Sequence, residues 1–92
     1  MEKIRFANHI SWQQVLDDNF LYVYNIKTHR YYSFSDTEIY IWKLIDEYKV
    51  IGIDQIVNLC ANFYELDKSV IEDDIMNFVN GLVETGVVEY VK

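Results

Sequence analysis

The sequence predicts an α+β fold, an N-terminal three-stranded antiparallel sheet followed by three helices, and three observations carry that prediction. Up to Phe34 the chain holds short runs rich in aromatic and β-branched residues, separated by turn signals. Beyond Ile41 the apolar residues recur at helical spacing. The two regimes meet at Arg30-Tyr31-Tyr32-Ser33-Phe34-Ser35-Asp36-Thr37-Glu38, where a short aromatic strand runs straight into a helix-capping sequence. A strand in that place is a sheet edge beside helices, where another chain's backbone can dock.

Taken in order, Ile10–Leu16 is the first predicted strand, with Ile10 and Trp12 on one face. Asp17-Asp18-Asn19 is a turn signal. Phe20–Tyr24 is the second strand, and Asn25–His29 turns the chain into the third, Arg30–Phe34. On that third strand Tyr32 and Phe34 share one face, Tyr31 and Ser33 the other.

The predicted first helix starts at a capping box, Ser35-Asp36-Thr37-Glu38. There Ser35 accepts from the Glu38 N–H and the Glu38 carboxylate reaches back. Asp36 and Glu38 also suit the positive end of the helix dipole. Ile41, Leu44, Ile45 and Tyr48, broadened by Trp42, form its apolar stripe. Lys49-Val50-Ile51-Gly52 breaks the run, and Ile56, Leu59, Cys60 and Phe63 give a short second helix. The third helix is expected from about Asp67 or Ser69, where Ser69-Val70-Ile71-Glu72 is a second candidate box. It runs to about Thr85, with Gly86 as its stop, and a short strand follows at Val87–Val91.

That third helix carries two apolar rows. Ile71, Ile75, Phe78 and Leu82 suffice to pack on a core, and Met76, Val79 and Val83 form a second row one position round the cylinder. A surface helix needs only one stripe of about 100°. The second row therefore signals either deep burial or a groove. Gly81 lies inside this helix at a cost of ~1 kcal/mol relative to alanine, which a close backbone approach would explain.

Composition narrows the function classes. Ninety-two residues, 51% hydrophobic and 16% aromatic, describe a single domain over residues 1–92 rather than a disordered chain. No apolar run approaches the ~20 residues of a membrane span, and Met1–Phe6 lacks the features of a signal peptide. One cysteine excludes an internal disulfide framework and fits a reducing compartment, so a cytoplasmic location is expected.

Nothing in the chain announces catalysis. Cys60 sits among apolar neighbours and reads as a small buried hydrophobe. His9 and His29 have no second ligand at metal spacing and read as surface residues. Glu72-Asp73-Asp74 are helix neighbours that point in different directions. There is no glycine-rich phosphate loop, no G-x-S-x-G and no Cys/His pair. The expectation is no enzyme, no cofactor and no metal.

The net charge of −7 is unevenly placed. Residues 1–34 carry four basic and three acidic groups, net +1, whereas residues 35–92 carry four basic and twelve acidic groups, net −8. Three helices and a β tail form a winged helix-turn-helix-like series, which makes a DNA-binding transcriptional regulator the alternative reading. The start of the third helix, however, sets Glu65, Asp67, Glu72, Asp73 and Asp74 against Lys68. Carboxylates there repel phosphates, so a nucleic-acid partner is not expected. A third reading is a structural subunit whose edge strand is capped by a larger protein.

Tyr22-Val23-Tyr24-Asn25, Tyr31 through Glu38, Ile41-Trp42, Asp74 through Val79 with Leu82, and Gly86-Val87-Val88 together resemble the PqqD-like family. That family includes the precursor-peptide recognition elements of ribosomally made, post-translationally modified peptide pathways. The resemblance spans roughly residues 10–90 and rests on degenerate motifs, mostly hydrophobic spacing. Phe34-Ser35 stands where the family often has Leu-Asn, and Lys27-Thr28-His29-Arg30 lacks the family's turn proline or glycine. The resemblance implies a stand-alone, non-catalytic chaperone of a precursor's leader peptide. The leader would add as a strand to Arg30, Tyr31, Tyr32, Ser33 and Phe34, drop side chains toward Met76, Val79 and Val83, and meet Glu72, Asp73 and Glu84 at the rim. A separate peptide-modifying or leader-cleaving enzyme would receive it. The same edge can equally pair with its own copy as a homodimer.

Overall fold

A computed structural model describes residues 2–15 and 19–92. It is an α+β fold with two antiparallel sheets and three helices, in the order β1 (Lys3–Phe6), β2 (Ile10–Val15), β3 (Phe20–Asn25), β4 (Arg30–Phe34), α1 (Thr37–Tyr48), β5 (Ile51–Gly52), α2 (Ile53–Tyr64), α3 (Lys68–Glu84) and β6 (Val88–Val91). The expected three-stranded meander is present as β2-β3-β4, with Val23 opposite both Trp12 and Tyr32. Leu16 and the Asp17-Asp18 turn signal lie outside the described residues.

The arrangement departs from three strands followed by helices. A second sheet, ordered β5-β1-β6, gathers the N-terminus, the α1–α2 link and the C-terminus. Lys3-Ile4-Arg5-Phe6 alternates about the pleat, with Ile4 fully buried and Lys3 and Arg5 facing out. That four-residue alternation is too short to stand out in sequence, and pairing with Ile51–Gly52 on one side and Val88–Val91 on the other makes it a strand. The C-terminal strand is therefore the partner of β1 rather than a tail. Arg5 and Glu89, directly opposite in that pair, form an exposed 2.8 Å ion pair.

The core lies between the sheets and the helices. Leu21 and Val23 of β3 and Phe34 of β4 point inward, while Tyr22 and Tyr31 point out. Trp42 on α1 is its aromatic centre, with ring centroids 4.4 Å from Phe6, 5.6 Å from Phe34 and 6.1 Å from Trp12. Helix α2 buries Ile53, Ile56, Val57 and Cys60. Phe63, placed on that stripe by spacing, is instead largely exposed and stacks on Tyr40 at 4.3 Å.

The helix ends explain why the chain turns where it does. At α1 the Glu38 carboxylate accepts from the Ser35 N–H at 3.2 Å, half of the predicted box. Asp36 occupies the cap position with φ 51°, and neither it nor Ser35 caps through its side chain. The Ser69 box does not form, because α3 begins one residue earlier, at Lys68, and Asp67 precedes it in extended backbone. At the far end Gly86 adopts φ 78°, which lets its N–H reach the Val83 carbonyl (3.0 Å) and the Val87 N–H reach that of Leu82 (3.2 Å). This is a Schellman closure, and it aims the chain into β6.

Candidate functional site

Strand β4 pairs with β3 along its whole length and with no other strand among the described residues. Its outer edge therefore presents backbone N–H and C=O groups to any chain that comes alongside. Beside that edge runs a cleft of about 300 Å³ between β4 and α3. Tyr32 and Phe34 form its strand wall, Phe78, Gly81 and Leu82 its helix wall, with Asn77 and Thr85 along the helix and Glu38 at one end. Phe34 and Phe78 meet across it edge to face, centroids 5.4 Å apart. The geometry is that of a half-built sheet with an apolar trough next to its open side.

Gly81 is central to that trough. A Cβ built on it meets nothing within 4 Å, so no close backbone approach accounts for the glycine. The space over Gly81 belongs to the cleft, and any larger side chain would stand in it.

The far end of the cleft is fastened by Asn25, the one polar side chain fully buried among the described residues. Its Nδ2 donates to the Thr85 carbonyl at 2.9 Å, and its Oδ1 accepts from the N–H groups of Lys27 (3.0 Å) and Thr28 (3.2 Å). One side chain thus shapes the β3–β4 hairpin and ties it to the end of α3. In sequence Asn25 reads as a turn residue, and nothing there distinguishes a hairpin asparagine from one that also bridges elements 60 residues apart.

The strand residues named from sequence fall on the expected faces. Tyr32 and Phe34 face the cleft and core, whereas Tyr31, three-quarters exposed, and Ser33 lie on the outer face; Arg30 opens the strand opposite Asn25, on the side of Tyr32 and Phe34, and is exposed there. On α3 the first apolar row packs on the core as expected, with Phe78 and Leu82 also walling the cleft, and the second row does not border the cleft. Val79 is fully buried in the core and unavailable to a ligand. Met76 borders a separate hollow with Glu2, Ile53, Asn80 and Tyr90, and Val83 packs partly buried against the core away from the cleft. The cause is the second sheet: β6 covers that side of α3, with the Tyr90 hydroxyl bonding Asn80 Oδ1 at 3.0 Å. The helix is thereby turned so that Phe78, Gly81 and Leu82 meet β4. Glu72 and Asp73 border neither the cleft nor the hollow beside it; Glu38 borders both, and Asp74 borders the adjoining hollow.

Among the described residues no cluster of three His, Cys, Asp or Glu could hold a metal ion, and no helix is long and apolar enough to cross a membrane. Cys60 is fully buried, and burial pushes its thiol up to about 11, so it stays protonated at neutral pH.

Comparison with known proteins places this geometry in context. The family model described as coenzyme PQQ synthesis protein D (PqqD) matches residues 21–88. No match was found among curated proteins. Three solved structures share the fold. TbiB1 in complex with the TbiA(beta) leader peptide is 19% identical with TM-score 0.81, covering 92% of this chain and 94% of that one. Lasso peptide synthetase B1 complexed with the leader peptide is 23% identical with TM-score 0.75, covering 94% and 96%. The PqqD truncation of Methylobacterium extorquens PqqCD, described as a functional and stand-alone recognition element for ribosomally synthesised and post-translationally modified peptides, is 22% identical with TM-score 0.74, covering 95% and 88%.

Proposed function

The chain belongs to the coenzyme PQQ synthesis protein D (PqqD) family, and from that premise we propose that it binds the leader region of a ribosomally made precursor peptide without catalysis of its own. The leader adds as a strand to the open edge of β4 and drops alternate side chains into the trough against α3. The observation that carries this reading is the coincidence of an unpaired strand edge with an apolar cleft kept open at Gly81. The leader complexes among the fold's neighbours support it. We read the helices and flanking strands as a winged-helix-like scaffold turned to peptide rather than DNA. The acidic start of α3, with Glu65, Asp67, Glu72, Asp73 and Asp74 beside Lys68, weighs against phosphate binding.

Magnitudes say which part of the site decides affinity. A micromolar complex needs about 8 kcal/mol. Four or five ladder bonds at ~1 kcal/mol each and two apolar anchors at ~1.5–3 kcal/mol each supply a gross gain of that size, from which ordering a flexible leader subtracts. Ladder bonds form with any sequence, so the anchors in the trough discriminate. Tyr32, Phe34, Phe78 and Leu82 are the contacts we assign to them, while Arg30, Tyr31 and Ser33 serve through their backbone. The protein works in a reducing compartment, hands its peptide to a separate modifying or leader-cleaving enzyme, and in its absence offers the same edge to a second copy.

The test is a fluorescence-anisotropy titration with labelled leader peptides encoded by short reading frames beside this gene. Wild type should bind one of them. Gly81→Leu should weaken that binding at least tenfold with an unchanged circular dichroism spectrum, and Gly81→Ala should be up to ~1 kcal/mol more stable yet bind less well. Undiminished binding by Gly81→Leu would exclude the trough.

A further inference from the structure

A second apolar hollow, of about 330 Å³, opens next to the trough and lies among all three helices. Ile41, Cys60 and Ile75 form its floor, and Tyr64, Leu66 and Ile71 its outer walls. Glu38 and Phe78 border both spaces, so the hollow continues the trough past the end of β4, around the first turn of α1. Two carboxylates, Glu38 and Asp74, stand at its border, and no basic side chain lines either space. Glu38 is held by the Ser35 N–H at 3.2 Å, so its position there is fixed.

We propose that this hollow is a second, specificity-determining anchor site for the same peptide, taking one aromatic or branched apolar side chain that is flanked by a lysine or arginine. The inference rests on the reading of β4 and the trough as a leader site. Its occupant follows from two features. Continuity puts the hollow within reach of a strand that has paired along β4 and runs on beyond Phe34. Charge supplies the neighbour, because a cation beside the anchor faces Glu38 and Asp74 within the part of the chain that is net −8. The pocket's size suits one large side chain, at the lower end of the range for small-ligand sites. A strand lying on β4 alone gains little sequence information from its ladder. A deep pocket past the ladder's end, with a charge requirement at its mouth, adds a fixed distance between two anchors.

The experiment selects random 15-residue peptides displayed on phage against wild type and two variants at the border of the hollow, Ile71→Glu and Asp74→Lys. Both positions are at least partly exposed, and circular dichroism checks each fold. Wild type should enrich peptides that carry an aromatic or branched apolar residue next to Lys or Arg at one end of a strand-forming stretch. Those peptides should bind Ile71→Glu at least tenfold less well, and Asp74→Lys should replace the basic neighbour with Asp or Glu. Identical selections on all three proteins, with binding still lost in Gly81→Leu, would overturn the second anchor and leave the trough standing. If wild type and Gly81→Leu select the same peptides, or wild type selects none, the underlying reading falls together with this one.

Discussion

The Cys60 thiol is fully buried on the inner face of α2, and burial alone raises it from 9.0 to about 11. Below pH 9 folded and unfolded chains both hold the proton, and folding keeps its full stability. Above pH 9 the unfolded chain releases the proton while the folded chain retains it until about pH 11, so stability falls as pH rises through that window. Tyr40 acts in the same direction, raised chiefly by burial and secondarily by Cys60, Tyr64, Tyr48 and Glu47. Cys60→Val should therefore reduce the alkaline loss without removing it. Urea melts at pH 8 and pH 11 should show wild type losing on the order of 2 kcal/mol more than Cys60→Val, and equal losses would show that the thiol does not titrate across folding. Gly81 carries the opposite kind of information. Its ~1 kcal/mol propensity cost brings no packing in return, since nothing lies within 4 Å of the missing Cβ. No contact in the structure offsets that cost, which is why Gly81 is the residue on which the proposed trough is tested.

Two elements meet at Asn25 and Gly86. Gly86 closes α3 in left-handed backbone, and a Cβ there would stand 3.3 Å from Asn25 Nδ2, the atom that donates to Thr85. Hairpin and helix end are thus one joint, and the width of the trough depends on it. Asn25→Ala strands two backbone N–H groups and a carbonyl and should cost about 3 kcal/mol. Gly86→Ala, forced into a left-handed conformation, should cost ~1–2 kcal/mol. Because the two share a joint, the double variant should lose less than the sum. Urea denaturation measures all three, and full additivity would separate the hairpin from the helix end. At this scale the sequence was legible where its signal is local: the alternation on β4, the helix stripes apart from Tyr48 and Phe63, which are exposed, and the Gly86 stop. It was silent on β1 and β5, strands of four and two residues that exist through pairing. Helical periodicity also could not tell which apolar row of α3 faces which neighbour, because that rotation is set by β6, which pairs with β1 from the other end of the sequence and is invisible to a local pattern. Val79 was consequently expected in the groove and lies in the core.

The whole molecule separates its tasks. The β5-β1-β6 sheet closes one side of α3 and the β2-β3-β4 sheet leaves the other side beside an open strand. Residues 35–92 carry twelve of the fifteen acidic groups and a net charge of −8, so the negative potential is concentrated on the helical half. Sequence alone conveyed that division of charge, together with the edge strand and its place before the first helix. The trough's true wall and the adjoining hollow required the packing of all three helices. Amide hydrogen exchange followed by NMR, with and without a bound leader peptide, examines the arrangement itself. Strand addition predicts that amides within Arg30–Phe34 that point away from β3 become protected at least tenfold, while the outer edges of β2 and β6 exchange as before. Tight binding with β4 exchanging unchanged, or protection on β2 or β6 instead, would mean the guest lies elsewhere.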